Sequence, residues 1–207
     1  MDIGNTFLIT RDMEIVFATH NKNKLRELQE ILAGCDIRIL GLADIGCNEE
    51  IEENATTIEG NAMVKARYVK LHYGYDCFAD DTGLMIDALD GAPGVYSARF
   101  AGDDCNSERN IDKVLQLMEG AKDRKARFVT VIALCKGEVE TTFEGEVQGE
   151  ILTCRRGAGG FGYDSIFEPE QCGLTFAEMS PEQKNGISHR GRAVKKLVAY
   201  LSGELAM

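Results

Sequence analysis

The chain has no C-x-x-C pair, no apolar run long enough to cross a bilayer, and no basic stretch followed by an apolar one at its start. Each absence removes a class of function. Its seven cysteines (Cys35, Cys47, Cys77, Cys105, Cys135, Cys154 and Cys172) are odd in number and widely scattered, which argues against a disulfide framework or a zinc site. Several sit inside apolar runs, where a free thiol behaves as a small buried hydrophobe, and the expected compartment is the reducing cytoplasm. Without a run of about 20 apolar residues no membrane-spanning helix is expected, and the composition of the N-terminus predicts no signal peptide. Positive charge is also scarce, with 23 Lys and Arg against 34 Asp and Glu and a formal net charge of −11. That balance speaks against a protein that wraps duplex nucleic acid, because phosphate contacts dominate such affinity. A small phosphorylated ligand stays open, since it needs only a few local cations and a metal. No internal repeat, low-complexity tract or interdomain linker interrupts the chain.

What is present is the composition of a globular protein. At 207 residues and 44% hydrophobic content the chain suits one domain with a proper core. Residues 1–12 are expected to be a poorly ordered N-terminal extension, because Met13 opens the first clear strand pattern, and 13–207 to form a single domain.

Met13 to Ala18 reads as a buried strand. The loop Thr19-His20-Asn21-Lys22-Asn23-Lys24 follows, and then Leu25, Leu28, Ile31 and Leu32 recur at helical spacing until Gly34. A polar loop between a buried strand and a helix N-terminus is a ready anion site, because backbone N–H groups and the helix dipole point there. Thr19 and Asn21 add donors and Lys24 a charge, although T-x-N-x-x-K alone is also ordinary N-capping chemistry. Asp36 to Leu40 reads as a second strand, and 44–59 as an acidic loop, whose charges by themselves suggest a solvated face. Thr57 to His72 reads as an amphipathic helix closed by Gly74.

Phe78-Ala79-Asp80-Asp81-Thr82-Gly83 is the stretch around which the rest is organised. A strand ending in Asp-Asp sends two successive carboxylates to opposite faces, and Gly83 is expected to let the backbone turn just after them. Paired acids at a strand end suit a hard cation such as Mg²⁺, although Asp-Asp-x-Gly is also turn chemistry. Leu84 to Leu89 reads as a separate extended piece, Asp90-Gly91-Ala92-Pro93-Gly94 as a turn, and Asn106 to Met118 as a helix. Strands are expected at Phe128 to Cys135, Val139 to Gly145, Val147 to Cys154 and Ser165 to Phe167. Between the last two lies a Gly-rich loop that ends Phe161-Gly162-Tyr163-Asp164, whose aromatics argue that it packs on something. Lys184 and Ser188-His189-Arg190-Gly191 precede a helix over Ala193 to Leu201. Early alternation of strands and helices, followed by a run of strands, predicts an α/β fold with an elongated mixed β-sheet, flanking helices, and two lobes around a central cleft.

Taken together these segments resemble the inosine triphosphate pyrophosphatase family. The resemblance rests on Ala18-Thr19-x-Asn21-x-x-Lys24, Glu53 ahead of Asn61-Ala62-x-x-Lys65-Ala66, Ala79-Asp80-Asp81-Thr82-Gly83-Leu84, Gly91-Ala92-Pro93-Gly94-x-Tyr96-Ser97-Ala98-Arg99, Gly159-Gly160-Phe161-Gly162-Tyr163-Asp164, Lys184, and Ser188-His189-Arg190-Gly191. It covers residue 13 to about residue 201 in order. The departures are His20, where many relatives have Gly, Thr82 in place of Ser, and Ser165, where Pro is common.

The resemblance implies a cytosolic, Mg²⁺-dependent homodimer. Its reaction would be hydrolysis of ITP, dITP and XTP to the monophosphate and pyrophosphate, clearing deaminated purines from the nucleotide pool. It implies a substrate loop at Thr19, His20, Asn21, Lys22, Asn23 and Lys24, metal acids Glu53 and Asp81, and catalytic roles for Asp81 and Lys24. Thr82, Phe161, Gly162, Tyr163, Asp164, Lys184, His189 and Arg190 would complete the substrate site, with Phe161 stacking on the base. The division of ligand and base roles among Glu53, Asp80 and Asp81 stays open. So do two other functions: a pyrophosphatase for other modified nucleotides, and a non-catalytic nucleotide sensor.

Overall fold

The computed structural model describes residues 13–35 and 37–203. The expected N-terminal extension at 1–12, and Asp36 at the expected start of the second strand, lie outside the described residues. Strands β1 (Met13–Phe17), β2 (Ile37–Gly41), β3 (Cys77–Ile86), β4 (Lys125–Lys136), β5 (Val139–Ile151) and β6 (Phe167–Pro169) form one sheet in the order β2-β1-β3-β4-β5-β6. The β1 pairings to β2 and β3 are parallel and the others antiparallel, so the sheet is mixed. The helices are α1 (Lys22–Ile31), α2 (Ile58–Tyr73), α3 (Ser107–Leu117), α4 (Pro181–Ile187) and α5 (His189–Leu201).

Local chemistry sets the helix ends. Asn21 caps α1, its Oδ1 accepting from the backbone N–H of Asn23 at 2.9 Å and of Lys24 at 3.2 Å. Thr57 caps α2, and Gly74 at φ 75° ends it in the left-handed conformation. α5 starts at His189, four residues before the expected Ala193, because the Ser188 hydroxyl caps the Gly191 N–H at 3.1 Å.

Three strand expectations are corrected. Gly83 does not turn the chain. It pairs with Val129 in the middle of β3, which runs on to Ile86 before a 3-10 turn at Asp87–Leu89. Its lack of a side chain is needed for close approach, since a Cβ there would lie 2.7 Å from the Gly94 carbonyl oxygen. Likewise the two expected strands around Gly145 are one, β5, paired with β4 from Val139 through Glu150. A Cβ on Gly145 would lie 2.1 Å from the His189 carbonyl oxygen, so the glycine admits the start of α5 against the sheet. The short strand expected over Ser165 to Phe167 is instead a 3-10 turn, Asp164–Ile166, leading into β6.

Among the described residues, apolar side chains gather in three clusters. One packs α2 on the parallel end of the sheet, through Val16, Ala62, Ala66, Val69, Cys77 and Ala79. A second packs α1 and α5 on the opposite face, through Phe17, Leu28, Phe78, Ile132, Val194 and Leu197. The third lies at the antiparallel end, around Leu84, Ile111, Phe128, Phe167 and Phe176. The two ends of the sheet form two lobes, and a cleft of about 340 Å³ opens between them.

Candidate active site

The strand alternation of β3 divides the two central carboxylates. Asp80 points with Phe78 and Thr82 toward α1 and α5, and Asp81 points with Cys77 and Ala79 toward α2. Each then meets a different set of cations.

On the Asp80 side the charges form an alternating ladder. Lys24 Nζ lies 3.0 Å from Asp80 Oδ1, and Arg190 Nε donates to Asp80 Oδ2 at 3.1 Å. The Arg190 guanidinium continues to Glu27, and Lys184 Nζ donates both to Glu27 Oε1 and to Asp164 Oδ2 at 2.6 Å. Three cations and three carboxylates thus alternate from Lys24 on the first turn of α1 to the Gly-rich loop at Asp164. All except Lys24 are buried, and the Lys24 side chain is only 13% exposed. Such burial is tolerable because each charge has a hydrogen-bonded partner of opposite sign. Burial alone would raise the Asp80 pKa, yet Lys24 and Arg190 outweigh it and hold the carboxyl below the usual carboxylate range. Asp164 goes the other way, with burial pushing it up against the pull of Lys184.

On the Asp81 side, Lys65 Nζ sits between two carboxylates, 2.9 Å from Glu53 Oε1 and 3.8 Å from Asp81 Oδ1. Asn61 Nδ2 donates to Asp81 Oδ2 at 3.4 Å, and Asn61 Oδ1 accepts from the Ala55 N–H at 2.9 Å. Burial raises the Asp81 pKa despite Lys65. Lys65 is also raised, because Asp81 and Glu53 together outweigh its own burial. The two partners respond unequally because Lys65 is held by two carboxylates, Asp81 and Glu53, whereas the neighbouring Glu53 charge also disfavours an ionised Asp81.

The far end of the cleft is aromatic. Phe161 lies over Lys184 Nζ at 4.9 Å and over Arg190 Cζ at 5.8 Å. Its backbone N–H donates to Asp164 Oδ2 at 2.8 Å. His189 is buried and stacked on Phe128, with ring centroids 4.6 Å apart and an interplanar angle of 17°. Its Nδ1 is buried without a partner among the described residues. Burial, reinforced by Arg190 and Lys184, keeps this imidazole neutral, with a pKa well below the usual value. Tyr163 turns inward and its hydroxyl donates to the Ser97 carbonyl at 2.8 Å.

The cleft therefore gathers residues from segments far apart in sequence. Thr19, His20, Asn21, Lys24, Glu53, Asp81, Thr82, Phe161, Gly162, Tyr163, Asp164, Lys184, His189 and Arg190 all line it. Lys22 and Asn23 lie on the first turn of α1 and are not among its lining residues, and neither is Asp80. Within the loop, Thr19 Oγ1 accepts from the Asn21 N–H at 3.1 Å, while the Asn21 side chain caps α1, so both stabilise the turn itself. His20 Nε2 is hydrogen-bonded to the Glu49 carbonyl at 2.9 Å. Thr82 Oγ1 is 2.7 Å from Thr130 Oγ1 and accepts from Arg190 at 3.2 Å.

Sequence reasoning left Glu27, Asn61 and Lys65 without a role. For Asn61 and Lys65 the available signal was a polar side chain on the apolar face of α2. Glu27 is three residues after Lys24 and one before Leu28 on α1, and Lys65 shares its stripe with Ala62, Ala66 and Val69 on α2.

Among the described residues, no cluster of three or more His, Cys, Asp or Glu side chains could hold a metal ion. The Glu53–Asp81 pair nevertheless fits Mg²⁺, which takes hard oxygen donors and commonly only one or two carboxylates, with water and substrate phosphates completing its shell. That Lys65 is drawn between the two acids shows that this point already favours positive charge.

The chain is similar to known proteins over most of its length. The Ham1 family model matches residues 15–200. The chain is 54% identical over 190 residues to the dITP/XTP pyrophosphatase of Christiangramia forsetii, covering 92% of this chain and 100% of that protein. It is 52% identical to that of Flavobacterium johnsoniae, covering 92% and 98%. The solved Ham1 protein of Staphylococcus aureus superposes with a TM-score of 0.84 at 38% identity, covering 93% of this chain and 100% of that one. The chain belongs to the Ham1 family.

Proposed function

We propose that this chain is a nucleoside triphosphate pyrophosphohydrolase that takes dITP, ITP and XTP to the monophosphate and pyrophosphate, removing deaminated purines from the nucleotide pool. The observation that carries this reading is the division of the cleft. Cations and two acids converge at one end, and a buried aromatic and hydrogen-bonding pocket lies at the other, joined by the ladder from Lys24 to Asp164.

At the phosphate end, Lys24 and Lys65 supply positive charge where a triphosphate carries about four negative charges. Phosphoryl chemistry needs chiefly positioning and charge stabilisation. Mg²⁺ held by Glu53 and Asp81 would neutralise phosphate charge and fix the phosphates' geometry. We assign Asp81 to accept the proton of the attacking water. Asp80 is on the other face of β3, paired with Lys24 and Arg190, and its role is to hold those two cations in place.

At the base end, Phe161 supplies a stacking surface. Arg190 has five N–H donors, of which Asp80, Glu27 and Thr82 engage three. The remaining donors and the neutral His189 face the 6-oxo side of the purine, and Asp164 offers an acceptor toward N1–H. Adenine presents the opposite pattern and would leave buried groups unpaired, which discriminates by about 10⁴-fold or more. The same reading places a homodimer in the cytoplasm, where the seven cysteines stay free thiols.

The test is pyrophosphate release from dITP with and without Mg²⁺, with ATP as comparison. Wild-type protein should release pyrophosphate only with the metal, prefer dITP strongly, and incorporate ¹⁸O from water into the monophosphate. Asp81→Asn should lose at least 10²-fold in kcat, and Glu53→Gln should also lose activity. Formation of the diphosphate, or equal turnover of ATP, would overturn the assignment.

A further inference from the structure

The acidic loop between β2 and α2 carries Glu53 into the cleft without belonging to any strand or helix at that point. Something must hold it, because a loop residue left mobile would carry its carboxylate away from Asp81. Three of its attachments are the Lys65–Glu53 ion pair, the bond of the Ala55 N–H to Asn61, and the bond from Arg99 to the Glu53 carbonyl at 3.4 Å. The fourth is farther from the chemistry and has no counterpart in the roles assigned above.

This fourth attachment is Glu49. Its Oε1 accepts from the hydroxyl of Tyr68 at 2.9 Å and from that of Tyr73 at 2.6 Å, both on α2. Its backbone carbonyl, in turn, is hydrogen-bonded to His20 Nε2 at 2.9 Å, and His20 belongs to the loop between β1 and α1. One residue thus ties together the acidic loop, the helix that supplies Lys65 and Asn61, and the loop that leads to Lys24. The carboxylate is held ionised, its pKa brought down to about 2 by the Tyr73 hydroxyl first and then by its own backbone N–H and Tyr68. Glu49 is exposed, as the reading of the acidic run as a solvated face expects, yet its carboxylate and its backbone carbonyl are both engaged.

We infer that Glu49, through Tyr68, Tyr73 and His20, is a positioning residue that holds the acidic loop in the conformation that places Glu53 opposite Asp81. It does not touch the reacting atoms, so it governs how readily the acid pair is assembled and not the rate once the pair is filled. The expected signature of losing it is weaker binding of the cation with kcat preserved. This inference rests on the proposed Mg²⁺-dependent reaction, but its structural half can be judged without it.

The experiment uses the double variant Tyr68→Phe with Tyr73→Phe, which removes both hydroxyls and leaves the loop sequence intact. Glu49→Gln serves as the second variant if the first does not fold. Amide hydrogen exchange of residues 46–53 is measured on the free protein, and pyrophosphate release from dITP is titrated with Mg²⁺. The loss of charge-assisted hydrogen bonds should speed exchange in 46–53 by about tenfold or more. It should also raise the half-saturating Mg²⁺ concentration by about tenfold, with kcat at saturating Mg²⁺ within about twofold of wild type. Unchanged exchange in 46–53 would overturn the inference. A fall in kcat at saturating Mg²⁺ with no shift in half-saturation would overturn it too. If wild-type protein releases no pyrophosphate, the functional reading fails, and the exchange measurement alone still decides whether Glu49 holds the loop.

Discussion

Glu27→Gln is the perturbation that tests the charge ladder most directly. Glutamine keeps the size and helix propensity of the side chain but removes its charge, leaving three cations facing two carboxylates. Lys184 would keep Asp164 at 2.6 Å, and Arg190 would keep Asp80 at 3.1 Å, so neither cation is stripped of every partner. Breaking a buried ion pair from one side costs about 3–5 kcal/mol. The retained partners place the loss at the low end, about 3 kcal/mol. For a chain of this size each kcal/mol moves the melting temperature by about 2–4 °C, so Tm should fall by about 6–12 °C. The assay is thermal unfolding by circular dichroism at neutral pH, with urea titration to check that the transition stays two-state. Glu30→Gln, at an exposed position on the same helix, is the control and should stay within about 0.5 kcal/mol. A change in Tm below 2 °C for Glu27→Gln would refute the reasoning, because it would mean that water, and not Glu27, balances Lys184 and Arg190.

Other consequences are smaller in scope. Phe161→Ala should raise KM for dITP by about tenfold or more, from the loss of a stacking contact of about 1–3 kcal/mol, and steady-state kinetics showing an unchanged KM would remove Phe161 from the base site. His189 is neutral in the folded protein, whereas the unfolded chain takes up a proton there below pH of about 6.5, so stability should fall as pH drops through that value. The limiting slope for one proton is about 1.4 kcal/mol per pH unit, and denaturant titrations from pH 7.5 to 5 should show it flattened in His189→Gln. With all seven cysteines free, the melting temperature should not respond to reductant; a drop on adding reductant would reveal a disulfide.

Much of this protein was legible in one dimension because its signals are local. A hydrophobic run before a polar loop marks β1, and Asn21, Thr57 and Gly74 end helices through bonds to their own neighbours in the chain. The adjacency of Asp80 and Asp81 already dictates that they face opposite ways in a strand, since that follows from backbone geometry alone. The ordered motifs were enough to bring out the family resemblance and the residues of the cleft. What the tertiary structure decided is which charges meet. Glycine at 83 and at 145 looks like a turn or a break in the sequence, and only the neighbouring Gly94 and His189 backbones show that it makes room instead. Glu27, buried on α1 beside Leu28, has no partners legible in the sequence until Lys184 and Arg190, more than 150 residues away, supply them. Asp80 and Asp81 are the same residue type side by side, yet one is held ionised by Lys24 and Arg190 and the other is pushed toward protonation by burial. Electrostatic roles depend on distances through space, and those exist only once the chain has folded.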